Sequence, residues 1–170
     1  MNPAQVKQFS LYNQWMNQKL YAACERLSDQ ERKADRKAFF RSIHGTLNHL
    51  LLGDKVWLSR FLNQSFNVTG LDQILYEEFS DLKREREGTD EEIITWANQL
   101  TEQKLLSEFR FRSISNPGPK VCLLWQAVAH FINHQTHHRG QITTLLSQAG
   151  INPGITDFIA MHGIVKEITQ

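Results

Sequence analysis

Imidazole is the side chain that stands out in this sequence. His130, His134, His137 and His138 crowd one short segment, and His44 and His49 share another. A histidine ring near its ordinary pKa binds metals and moves protons at neutral pH, so such clusters point to metal or acid–base chemistry. On a helix, His134 and His138 fall about 40° apart, one turn from each other. Their Cβ atoms are then roughly 5–6 Å apart, close enough for both rings to reach one ion at about 2.0–2.1 Å. Two ligands alone make a poor site, so the spacing asks for a third from a facing helix.

His44 and His49 are five residues apart, about 140° around a helix, and cannot both face the same ion. His49 sits among Leu47, Leu50, Leu51 and Leu52, where a buried imidazole needs a polar partner. His44 lies beside Ser42 and Gly45, near the helix start, where exposure is expected. His49 is the better third ligand. H-x-x-x-H by itself also arises on solvated helix faces, and that reading of the pair stands beside the metal reading. His130 and His137 fall within about 60° of His134 and are open to roles as further ligand, supporting donor or proton shuttle.

Two absent patterns narrow the chemistry. Gln135 stands where H-E-x-x-H would place a general-base glutamate, which argues against a zincin-type peptidase. No histidine has a glutamate three residues before it, which argues against a ferritin-like di-iron site.

The elements that must hold these rings are helical. Residues 3–27 have Asn2 as a cap, Pro3 in the first turn, and Val6, Phe9, Met16, Leu20, Ala23 and Leu27 at helical spacing. Ser28–Glu31 reads as a capping box, and the charged run 31–37 as a solvated connector. A second helix is expected over 39–63, apolar on several sides and therefore central. Patterns over 72–87 and 90–107 are also helical; Thr89–Glu92 resembles a capping box, and Gly88 either separates two helices or sits inside one. Phe109–Arg112 alternates in polarity and Asn116–Pro119 is a turn signal, so a small hairpin or irregular crossover is expected there. The last long helix spans about 121–148, stopped by Gly150 and Pro153. One all-α domain over 1–170, with four long amphipathic helices, makes a four-helix bundle the expected architecture.

Composition excludes several partners. With 19 Lys and Arg against 18 Asp and Glu, there is no electrostatic footprint for nucleic acid or an anionic membrane. Apolar runs are too short for a membrane span, and the N-terminal residues have no signal-peptide pattern, so a cytoplasmic location is expected. Cys24 and Cys122 stand far apart, as expected for reduced, packed thiols.

The segments Phe39-Phe40-Arg41-Ser42-Ile43-His44-Gly45-Thr46-Leu47-Asn48-His49-Leu50-Leu51 and Asn133-His134-Gln135-Thr136-His137-His138-Arg139-Gly140-Gln141 resemble the DinB family, of the DinB/YfiT-like group. Tyr12-Asn13-Gln14-Trp15, Trp57 and Leu145–Gly150 match as well. The resemblance implies an up-down-down-up four-helix bundle and one divalent metal, zinc or nickel, on His49, His134 and His138. It also implies a homodimer. Relatives with assigned chemistry are thiol S-transferases and isomerases that use low-molecular-weight thiols, so a small-molecule substrate of that kind is the expected partner. The family name refers to induction by DNA damage and not to DNA binding.

The leading expectation is thus a metal-dependent transferase or hydrolase-like enzyme, with His137 and Arg139 as catalytic candidates and His130 and Asn48 beside them. The alternative is a non-catalytic stress-response protein whose metal is structural or sensory. Structural zinc usually fills all four positions with protein ligands, often cysteines, and neither cysteine lies near the histidine segments.

Overall fold

Asn2 opens the first helix, α1 (Pro3–Glu25), with a reciprocal cap. Its side chain accepts from the Gln5 backbone N–H at 2.9 Å, and the Gln5 side chain accepts from the Asn2 N–H at 2.9 Å. The computed structural model describes residues 1–114 and 118–165. It is mostly helical, with one small antiparallel sheet. Ser28 starts α2 (Asp29–Lys33) with the expected capping box to Glu31, and this short turn takes in the beginning of the charged run.

Helix α3 (Ile43–Phe61) begins at Ser42, whose hydroxyl accepts from the Gly45 N–H at 2.9 Å. The expected start at residue 39 is too early. Lys37 (φ 59°) and Arg41 (φ 65°) take left-handed conformations around Phe39 and Phe40, which a helix cannot accommodate.

Helix α4 (Phe79–Asn98) settles the question at Gly88, which lies within one continuous helix. The capping-box signal after it is not used: the Thr89 hydroxyl donates to the Glu85 carbonyl at 2.8 Å, bonding back along the helix. Residues 72–78 are not helical, contrary to the sequence pattern. Buried Asn48 holds them instead, its Oδ1 accepting from Leu75 N–H at 2.9 Å and Tyr76 N–H at 3.0 Å. The expected 90–107 helix also breaks, because Thr101 caps a separate turn, α5 (Glu102–Leu105).

Strands β1 (Glu108–Arg112) and β2 (Pro119–Leu123) form the expected hairpin, with Phe109 opposite Cys122 and Phe111 opposite Lys120. Residues 115–117 of the turn signal lie outside the described residues. Helix α6 (Leu124–Gln148) starts three residues later than expected because 121–123 belong to the strand. It ends on Gly150 (φ 77°), with Gly150 N–H bonded to Ser147 O and Ile151 N–H to Leu146 O, a Schellman stop. A single 3-10 turn, Phe158–Ala160, follows. No described helix is long and apolar enough to cross a membrane. Cys24 is buried, Cys122 half-buried, and both are free thiols.

Helix α1 packs on α4 and α6, and α3 packs on α6 and α4. Their apolar residues form two groups, one around Leu20, Leu47, Leu51, Leu82 and Leu146, the other around Val6, Leu58, Ile93, Trp96 and Phe131. Between the groups every long helix places buried polar residues. Arg86 of α4 pairs with Asp54 of α3 at 2.6 Å and with Asp90 at 3.0 Å. Asp90 accepts from Asn13 and Asn17 of α1, Asn13 accepts from Arg139 of α6, and Gln135 of α6 donates to Asp54 at 3.1 Å. The ring of contacts closes across all four helices.

Removing one charge from such a ring strands the others away from water. Arg86→Met is expected to lower the unfolding free energy by about 3–5 kcal/mol, read from urea denaturation. A loss within the range of an ordinary surface substitution would show that the ring does not hold the helices together.

Candidate metal centre

On α3, His49 faces α6 one turn before Gly53; on α6, His134 and His138 face back. Gly53 is required by this approach. A Cβ there would stand 2.6 Å from His134 Cε1, so only glycine leaves room for the ring. The ring centroids of His49 lie 5.3 Å from His134 and 4.5 Å from His138, and those of His134 and His138 are 4.4 Å apart. One nitrogen from each of the three residues lies within 4.8 Å of the others. The sequence-based trio therefore meets at one point.

Hydrogen bonds to the outer nitrogens assign the tautomers. His49 Nδ1 is 2.7 Å from the Leu71 carbonyl oxygen, and a carbonyl only accepts, so Nδ1 carries the proton. His138 Nδ1 is 2.7 Å from Gln141 Oε1, which gives it the same tautomer. Both Nε2 atoms therefore present lone pairs, and they are 3.2 Å apart. Two lone pairs at that distance repel unless a cation lies between them. Tetrahedral ligation with bonds of 2.0–2.1 Å places nitrogens roughly 3.3 Å apart, so the pair fits a divalent ion. His134 Nδ1 is buried without a hydrogen-bond partner, a further donor atom left for an ion.

Burial keeps these rings neutral. It pushes His134 down to about 3, with added repulsion from the positive forms of His138 and His49. It pushes His138 down to about 4 against the favourable contact with Gln141. His49 is lowered too, by burial that outweighs its bond to Leu71. Phe40 stacks on His49 at 3.7 Å between centroids and shields it from water.

The triad forms one wall of a cavity of about 880 Å³, lined also by Trp57, Arg60, Phe111, Cys122, His130 and His137. His130 lies 4.9 Å from Trp57 and 6.1 Å from His134 between ring centroids. His137 Nε2 is 3.3 Å from Gln141 Nε2. Both rings line the cavity, and neither belongs to the converging trio.

Three residues lie elsewhere than expected. His44 is buried rather than exposed, because residues 72–78 lie over it and its Nε2 is 2.9 Å from the Tyr76 carbonyl. Arg139 does not line the cavity; it is buried in the helical core, bonded to Asn13 and Thr136. Asn48 likewise holds the 72–78 segment rather than the cavity. Sequence reasoning missed Gly53, Gln141 and Phe40. Two of them carried a positional signal, Gly53 four residues after His49 and Gln141 three after His138, each one turn along the same face.

The sequence pattern that defines the DinB family matches residues 1–167. The chain belongs to the DinB family. It is similar to the protein named Protein DinB of Bacillus subtilis (strain 168), with 27% identity over 156 residues covering 86% of this chain and 87% of that one. For this DinB-family chain, three histidines of α3 and α6 stand close enough together to hold a metal ion.

Two measurements check the centre. Gly53→Ala is expected to leave helix content unchanged, because the nearest obstacle is a side-chain ring that can swing away, yet to weaken zinc binding roughly 10–100-fold. Unchanged affinity would mean that the His134 ring is not a ligand. The second concerns pH. An unfolded histidine takes its proton near pH 6.5, whereas the folded rings resist until about 4 and 3. Falling pH through that window therefore favours the unfolded chain. The urea midpoint of metal-free protein should drop between pH 7 and pH 4, and less steeply in His134→Leu; parallel curves would refute the buried neutral ring.

Proposed function

We propose that this chain is a metal-dependent enzyme that carries out thiol S-transfer or hydrolase-like chemistry on a small molecule. The observation that carries the reading is the convergence of the His49 and His138 lone pairs, 3.2 Å apart, on the wall of a cavity of about 880 Å³. That volume lies in the usual range for small-molecule sites. A metal held for structural purposes has no need of such a space beside it.

His49, His134 and His138 would hold one divalent ion, zinc or nickel, since imidazole suits both. When bound, such an ion supplies Lewis acidity, which lowers the pKa of a thiol or water that reaches it. The chain's own residues do the rest. Leu71 and Gln141 fix the rings with their Nε2 lone pairs forward, and Phe40 keeps water from the His49 ring. His137 stands on the cavity wall with its Nε2 facing the Gln141 amide nitrogen, a donor, so that nitrogen accepts. Its role in this reading is to take up and release the substrate proton. Apolar walls formed by Leu52, Val56 and Trp57 hold the body of the substrate.

The same reading includes an up-down-down-up four-helix bundle of the DinB/YfiT type, supported by the pairing of α1 and α3 with both α4 and α6. It includes a homodimer as well.

The test combines metal analysis with turnover. Protein purified without a histidine tag should carry about one divalent ion per chain, and His49→Ala should carry far less. Loaded protein should turn over electrophilic substrates with candidate thiols, and His134→Ala should lose that rate. Equal rates in the two proteins would overturn the proposal.

A further inference from the structure

The cavity has a charge pattern that the metal centre does not explain. None of its lining residues is an aspartate or glutamate, whereas Arg60 and Lys120 both line it. Arg60 comes from the last turn of α3. Its guanidinium lies over the Trp57 ring at 4.7 Å and the Phe111 ring at 5.4 Å. Nη2 donates to the Arg112 carbonyl at 2.7 Å, which fixes the group between the helix and the hairpin. One donor of five is thereby used, and among the described residues no carboxylate pairs with Arg60. Lys120 of β2 is opposite Phe111, so both side chains leave the sheet on the same face.

Arg60 is half-buried over the two rings, so its free donors have lost part of their water without gaining an anion in return. Burial already works against the charge, lowering the Arg60 pKa. Burial, and after it the Arg60 charge, disfavours a proton on His130, whose ring lies 4.9 Å from Trp57 and 6.1 Å from His134 between centroids. The cavity thus runs from three converging imidazoles, past His130 and Trp57, to a guanidinium with open donors.

We propose that the cavity takes an organic anion, with a flat or apolar body against Trp57 and Phe111 and a carboxylate, sulfonate or phosphate on Arg60, assisted by Lys120. This assignment rests on the reading of the cavity as a substrate site and specifies which substrates enter it. Arginine is suited to the task because its planar fork meets an oxyanion with two parallel hydrogen bonds while its face stays on the rings. The reactive end of the ligand is then directed away from Arg60, toward His134 and His138.

Matched probes test this without turnover. Naphthalene-1-sulfonate and the N,N-dimethyl sulfonamide of the same acid share a body and differ in charge, and the sulfonamide has no N–H to lose to a metal; both are titrated calorimetrically into the wild-type protein, with metal bound and after chelation. The sulfonate is expected to bind about tenfold more tightly or better in both states, as a charge-assisted contact would give. Arg60→Met should bring the two affinities together while keeping that for the sulfonamide, which reports an intact cavity. Lys120→Met should reduce the preference less, and it supplies the test should Arg60→Met fail to fold. Equal binding of the two probes by wild type, or a preference that survives Arg60→Met, would overturn the proposal. So would a preference that vanishes on chelation, since it would place the anion on the metal. Loss of preference in Arg60→Met together with no turnover under any metal would leave this inference standing and remove the proposed reaction.

Discussion

The Asp54 carboxylate is the point through which three of the four long helices are tied. It takes Arg86 from α4 on one oxygen and Gln135 from α6 on the other, and it belongs to α3 itself. Asp90, Asn13 and Arg139 carry the contact around through α1. Buried ion pairs contribute little net stability compared with apolar packing of the same volume, because each charge gives up its hydration. Their effect is positional: a helix that slid by one turn would leave a charge without its partner. In this chain the constraint reaches the metal centre directly. Gln135 turns into the core toward Asp54, so its neighbour His134 must turn out toward Gly53 and His49.

The centre itself works by exclusion. Leu71 and Gln141 occupy the outer nitrogens of His49 and His138 with hydrogen-bond acceptors, so the only way to relieve the facing Nε2 atoms is a cation. A proton could serve, but burial opposes it, holding His138 down to about 4 and His134 to about 3. A divalent ion placed there would meet three neutral nitrogen donors. The same surroundings that keep protons off the rings leave their lone pairs free for a metal ion. Phe40 adds to this by stacking on His49, and its position depends on the left-handed backbone at Lys37 and Arg41.

The convergence of His49, His134 and His138 was legible in the sequence because ligand spacing and helix geometry share a period. His134 and His138 repeat at one turn, and His49 stands out as a polar residue within a leucine run. Arg139 was misread since adjacency in sequence to a ligand is about 100° away on a helix, here enough to move it from the cavity into the core. Asp54, Arg86 and Asp90 gave no signal at all. Single charged residues on amphipathic helices usually face water, and only the packed structure shows these facing one another. The helix patterns of 72–78 and of Thr89 failed for a related reason. Asn48 satisfies the backbone of the first from 27 residues away, and the Thr89 hydroxyl bonds to the preceding turn rather than starting a new one.

The hairpin has a different relation to the site from that of the helices. Its inward face carries Phe109 and Phe111 from β1, opposite Cys122 and Lys120 from β2. Phe109 packs on Phe61 at 5.5 Å and Phe111 on Trp57 at 5.3 Å, both on α3. These contacts fasten the hairpin to the outside of the helix that carries His49, without touching the polar ring in the core. The positions of the three histidines thus depend on interhelical register, while the far wall of the cavity depends on two short strands and the side chains they alternate. Phe111, Lys120 and Cys122 line the cavity from the hairpin, whereas the three imidazoles come from α3 and α6. The placement of the imidazoles and the shape of the cavity's far wall therefore rest on different contacts, interhelical for the first and strand-to-helix for the second.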